Sequence, residues 1–352
     1  MTIVADEYQY VVGVDTHAKT HTYAIVETIT GRLISVETFP TTAAGLSRAL
    51  SWIRRRTDGA VLAAVEGTNS YGSELIRALD AIGLPVTEAR PPLRASRAGR
   101  GKSDPIDAEA AARSVTHHPI DTLRVPRSGK RRSAVRILLT TRRSMETQRT
   151  ADRNALIALL RIVELGLATR RSLSAANLAK VAAWRGHSTD DVEQATARAE
   201  ASRLARSVLT LNERLNENAA ELRSHVEQIA PQLLVVQGIG PITAAVFITA
   251  FSHVGRVRSE AAFAALGGAS PIPASSGNTV RHRLNRHGDR RLNAALDTVA
   301  RVRMMSHPET MAYRERRLAE GRTGREIKRS LKRYIARQIY RLLTASTQPQ
   351  TV

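Results

Sequence analysis

The chain has 352 residues, no cysteine and a formal net charge of +21. Lack of Cys excludes disulfides, thiolate-bound zinc and thiol catalysis, and 42% apolar content excludes a disordered chain. With no apolar run near the roughly 18 residues of a membrane span and no secretory leader pattern, a soluble cytoplasmic protein without a membrane partner is expected.

The first elements read as a mixed sheet. Apolar strands are predicted over 10–15, 22–28 and 32–39, with Gly31 in a turn. A helix from Thr41 or Thr42 to Arg56, a strand over 60–66, a helix over 70–81 and a strand over 85–89 complete a βββαβαβ order. Asp15 and Glu66 each close an apolar strand, where such sheets open into a ligand crevice. Further on, Lys102-Ser103-Asp104-Pro105-Ile106-Asp107-Ala108 starts a helix. Pro105 suits its first position, which makes Asp104 the N-cap and puts Asp107 on the same face of the first turn. Each acid alone is an ordinary turn or cap residue. Together, Asp15, Glu66, Asp104 and Asp107 supply the oxygens that Mg²⁺ takes alongside a substrate phosphate.

The order Asp, Glu, Asp, Asp on these strands resembles the ribonuclease-H-like fold of Holliday-junction resolvases. More specifically, Gly13-Val14-Asp15-Thr16-His17, Val65-Glu66 and the Lys102–Ala108 segment resemble the DEDD transposases of insertion sequences. That bridge-RNA-guided recombinase family includes the pilin-gene invertase.

Charge shifts sharply along the chain. Residues 1–90 hold eight basic and ten acidic side chains, so the remainder carries +23. Nucleic acid is the first partner this suggests, and 4% aromatics makes phosphate contacts dominant over base stacking. Residues 124–150 hold nine basic residues against one acid, with Lys130, Arg131 and Arg132 expected to bind nucleic acid. A helix is predicted from Ala134 to about Leu167, and another restarts near Thr189. In the second, Val208, Leu215, Leu222 and Ile229 form a heptad seam, with Asn218 and His225 at its other core position. The seam suits dimerisation, or packing inside one chain.

Gln237-Gly238-Ile239-Gly240-Pro241 opens a further helix. It resembles the helix-hairpin-helix turn of nonspecific DNA binders, with Gly238 and Gly240 near phosphate; a plain interhelical turn is the other reading. A Gly-, Ser- and Pro-rich loop over 266–279 precedes Arg281, Arg283, Arg286 and Arg290. Ser276-Gly277, the basic stretch and Arg286-His287-Gly288-Asp289-Arg290-Arg291-Leu292 resemble the second block of the same transposase family. The resemblance makes Ser276 the catalytic nucleophile, with Ser275 adjacent.

The resulting expectation is an α/β plus all-α chain in three parts. These are a RuvC-like domain over 1–125, a helical coiled-coil connector over 126–230 and a mainly helical transposase domain over 231–352. The resemblance implies strand exchange by Mg²⁺-binding acids and a serine, donor and target DNA, a bridge RNA, and a homo-oligomer, dimer or tetramer, associated with the bacterial nucleoid. A metal-only RuvC-like endonuclease or junction resolvase is the alternative. An actin-like kinase or ATPase also begins with such strands, but its later glycine-rich phosphate loops are missing and +21 suits it poorly.

Overall fold

A computed structural model describes residues 1–89, 103–167, 173–270, 272–273, 282–283 and 288–345. The chain divides into two compact units, 1–128 and 129–352. Among the described residues, no helix is long and apolar enough to cross a membrane.

The first unit opens with a short helix, α1 (Val4–Glu7), and continues as β1 (Tyr10–Thr16), β2 (Thr20–Glu27), β3 (Leu33–Pro40), α2 (Ala43–Arg56), β4 (Val61–Val65), α3 (Ser73–Ala81), β5 (Val86–Glu88) and α4 (Asp104–Thr116). The sheet order is β3-β2-β1-β4-β5. β1, β2 and β3 pair antiparallel, while β4 runs parallel to β1 and to β5. This is the expected mixed sheet with a ribonuclease-H-like arrangement.

Strand alternation gives the sheet two apolar faces. Val12, Val14, Tyr23 and Ile25 pack with Leu46, Trp52 and Ile53 of α2 and Leu75 and Leu79 of α3. Val11, Val26, Leu62 and Ala64 face the other way, toward Ala112 and Val115 of α4. Gly13 lies on this second face. A Cβ there would sit 2.0 Å from the Ala108 carbonyl oxygen and 2.4 Å from the Ala112 nitrogen. The helix backbone therefore rests directly on β1. Ala108, Ala111 and Ala112 keep the helix side of that contact equally thin.

The second unit contains α5 (Lys130–Ile162), α6 (Ala175–Ala182), α7 (Val192–Ile229), α8 (Pro241–Phe251), α9 (Glu260–Leu266), the two-residue strands β6 (Ile272–Pro273) and β7 (His282–Arg283), α10 (Arg290–Ser306), α11 (Pro308–Ala319) and α12 (Gly324–Ala345). α7 starts with an Asp191–Gln194 capping box. α8 is apolar nearly all round, as a helix enclosed by others must be. Its Phe247, Ile248 and Phe251 are buried with residues of α5, α7, α10 and α12.

The heptad seam of α7 is filled from within the chain. Leu222 and Val226 pack with Val135 and Leu139 of α5, and Val208 packs with Leu156 and Leu160. Polar bonds fix the register between these apolar ends. Asn218 Nδ2 donates to the Leu138 carbonyl at 3.2 Å, Arg142 Nη1 donates to the Leu215 carbonyl at 2.9 Å, and Ser207 Oγ donates to Asp152 at 2.6 Å. The pairing is an antiparallel hairpin of one chain, the packing-inside-one-chain reading of the seam. Burial of an Asn at a core position still selects register, as in oligomeric coiled coils.

Gly13→Ala should destabilise the first unit by about 1–3 kcal/mol, because the added methyl meets backbone rather than a movable side chain. Urea unfolding checks this; an unchanged midpoint would contradict the close approach.

Candidate metal centre and nucleic-acid interface

The second face of the sheet carries more than apolar residues. Val11, Gly13 and Asp15 alternate onto it from β1, with His17 just past the strand's end, and Leu62 and Ala64 from β4, with Glu66 just past its end. Val14 and Val65 are register partners, and the Glu66 N–H donates to the Val14 carbonyl at 3.0 Å. Asp15 and Glu66 thus leave neighbouring parallel strands side by side. Thr16 Oγ1 donates to the Glu66 carbonyl at 2.9 Å and ties the two ends together.

α4 brings the other acids. Asp104, Asp107, Ala108, Ala111, Ala112 and Val115 follow helical spacing along one stripe. The alanines lie on β1, so the acids at the helix start reach the strand end. The helix begins one residue earlier than expected. Ser103 occupies the N-cap position and Asp104 the first turn, because the Asp107 N–H already bonds the Ser103 carbonyl at 3.0 Å. Both carboxylates still complement the helix dipole.

Asp15 is 8% exposed, and its Oδ2 is buried without a hydrogen-bond partner. Burial pushes its carboxyl above the ordinary carboxylate range. His17 opposes that shift, while the negative charges of Glu66, Asp104 and Asp107 reinforce it. The other three acids are thus near enough to act on Asp15, and Asp104 offers a carboxylate oxygen in one cluster with Asp15 and His17. A set of carboxylates with a buried, unpartnered oxygen fits a divalent cation, which would satisfy that oxygen and offset the repulsion. Glu88 ends β5 in the same parallel set, but it accepts from Thr68 Oγ1 at 3.0 Å. His17 joins Asp15 and Asp104, a role that its place in the Gly13–His17 motif does not reveal. Its signal was the two-residue spacing from Asp15.

The second unit presents cations at helix starts. Lys130 and Arg131 are exposed in the first turn of α5, and Arg290 in the first turn of α10. Positive side chains there oppose the helix dipole, an arrangement relieved by a bound anion. Arg132 is a correction. It is 5% exposed, and its guanidinium donates to the Thr249 carbonyl at 3.1 Å. It lies three residues before Val135 and seven before Leu139 on the inner stripe of α5, so burial claims it.

Gly238 has a φ of +85°, and Gly240 is the N-cap of α8. The Gln237 carbonyl accepts from Arg303 Nε at 2.9 Å, and the Gly240 N–H donates to Thr243 Oγ1 at 3.0 Å. The turn is thus braced by α10. Ser275, Ser276, Arg281 and Arg286 lie outside the described residues; of Arg283 the backbone is described, in β7. The ends of that loop are closed by the Asp289 N–H, which donates to the Leu266 carbonyl at 2.7 Å. A Cβ at Gly288 would lie 2.5 Å from the same carbonyl oxygen. Asn293 donates to the Gly267 carbonyl at 2.7 Å and accepts from the buried Lys332 amine at 2.8 Å.

Carboxylates at adjacent parallel strand ends, completed from a helix laid on the sheet, define a ribonuclease-H-like centre for divalent-metal phosphoryl transfer on nucleic acid. Family comparison places the chain within that class. The IS110-group DEDD transposase profile matches residues 12–164, and the transposase profile of the IS116/IS110/IS902 family matches residues 230–315. The chain belongs to the IS110-type DEDD transposases and is a DNA-acting recombinase of insertion sequences. No curated protein sequence matches it.

A raised Asp15 pKa means the folded chain holds that proton more tightly than the unfolded one. Metal-free protein should therefore lose stability as pH rises from the ordinary carboxylate range through the raised value. Asp15→Asn should flatten that slope, and added divalent cation should restore wild-type stability above it. Melting curves in EDTA across pH read both effects; identical slopes would contradict them.

Proposed function

We propose that the chain is a bridge-RNA-guided recombinase that exchanges DNA strands through Ser276. The supporting observation is the braced neck around Leu266, Gly267, Gly288 and Asp289, from which the Ser276 segment departs. A nucleophile-bearing loop needs such a fixed base. Ser276 Oγ attacks a DNA phosphorus and displaces a deoxyribose oxygen, leaving a serine phosphodiester. A hydroxyl of the strand to be joined then attacks that phosphorus and releases the serine. The bond energy is conserved, so rejoining needs no ATP.

Asp15, Glu66, Asp104 and Asp107 hold Mg²⁺ in this reading. The cation supplies charge neutralisation at phosphate oxygens. Lys130, Arg131, Arg281, Arg283, Arg286 and Arg290 grip the backbone, with the turn at Gly238 and Gly240 lying close to phosphate. Guide pairing reads the target sequence while the protein holds backbones. Joining donor to target requires two centres, hence a dimer or tetramer assembled through a surface other than the filled α7 seam. Such a protein works in the cytoplasm on nucleoid DNA.

With labelled donor and target DNA and Mg²⁺, a denaturing gel should show a protein–DNA adduct that is lost in Ser276→Ala and kept in Ser275→Ala. Sequencing of co-purified RNA should return one discrete species. Free DNA ends with no adduct would favour the metal-only endonuclease. DNA affinity should fall steeply with salt as counterions are released, with log K against log salt losing about one unit of slope for each phosphate-contacting Arg or Lys removed. A flat salt profile would contradict backbone-dominated binding.

A further inference from the structure

His17 stands just past the end of β1, two residues beyond Asp15, and its N–H donates to the Thr20 carbonyl at 3.0 Å. Its Nε2 lies 3.7 Å from Asp15 Oδ2 and 3.9 Å from Asp104 Oδ1. Both separations exceed a hydrogen bond. Ligands about 2.1 Å from a shared octahedral cation lie about 3.0 Å apart when adjacent and about 4.2 Å apart across it, and both separations fall between these limits. One ligand atom each from Asp15, His17 and Asp104 fall within 4.8 Å of one another.

The independent sign of a ligand is Asp15 Oδ2. It is buried, lacks any hydrogen-bond donor and points into this cluster. A carboxylate oxygen in that state is costly unless a cation meets it. Asp104 and His17 line the open side of the cluster, with side chains 53% and 46% exposed, so substrate oxygens have access.

We propose that His17 is a nitrogen ligand of the divalent cation held by Asp15 and Asp104, which shifts the preference of the site from Mg²⁺ toward Mn²⁺. The inference rests on the acids forming a cation site. Mg²⁺ keeps to oxygen ligands and water, whereas Mn²⁺ accepts imidazole nitrogen alongside carboxylate. The rival role is an imidazolium that pairs with the two carboxylates and is displaced when a cation enters. The two roles differ in one observable: whether nitrogen touches the metal.

The test uses the full chain stripped with EDTA and titrated with Mn²⁺. Pulsed electron paramagnetic resonance should detect ¹⁴N coupling from a directly bound imidazole. In His17→Ala, and in His17→Gln, that coupling should vanish and Mn²⁺ affinity should fall about tenfold, with Mg²⁺ affinity in competition falling less. Metal-free melting curves confirm that each variant is folded. Bound Mn²⁺ without ¹⁴N coupling in the wild type, or unchanged Mn²⁺ affinity in both variants, would overturn the role of His17. Mn²⁺ binding that is absent, or untouched by Asp15→Asn, would instead overturn the acid site itself.

Discussion

The close approach of α4 to β1 is the contact on which the candidate metal centre depends. Asp15 belongs to the sheet and Asp104 to the helix. They meet because Gly13 has no side chain and the helix offers only alanines where it lies on the strand. Close packing of this kind does not stretch continuously. The helix either rests on the strand, and the carboxylates gather, or it stands off and they separate. Burying Asp15 among like charges costs stability in the free protein, and the packing of two apolar faces against the same sheet offsets it.

The second unit is organised by a different constraint. α8 is apolar on every side and has to be enclosed, so α5, α7, α10 and α12 gather around it. The hairpin of α5 and α7 extends this core outward. Its apolar ends are separated by Asn218, Arg142, Asp152 and Ser207, whose bonds are satisfied only in one alignment. A helical pair without such a layer slides by a heptad at little cost; with it, each slipped register leaves a buried polar group unpaired.

Much of this was legible in the sequence because the information is local. Alternation marked the strands, and the acids that end them stood out against apolar runs. What the sequence could not supply was the partner of each face. The α7 stripe looks the same whether a second chain or α5 covers it. Arg132 reads as one more cation in a basic run until the stripe it shares with Val135 and Leu139 is seen to turn inward. His17 carries no mark of its own in the sequence, since a histidine after a strand is usually a solvated side chain; its distances to two carboxylates distinguish it.

The shared core of the second unit has a mechanical consequence. A helix of 33 residues such as α5 spans about 50 Å, and its inner end packs in the same cluster as Leu292 and Leu296 of α10. α10 in turn holds the neck of the serine-bearing segment through Asn293. The inner end of the hairpin and the neck of that segment are thus linked through a single packed core, with α10 as the element common to both.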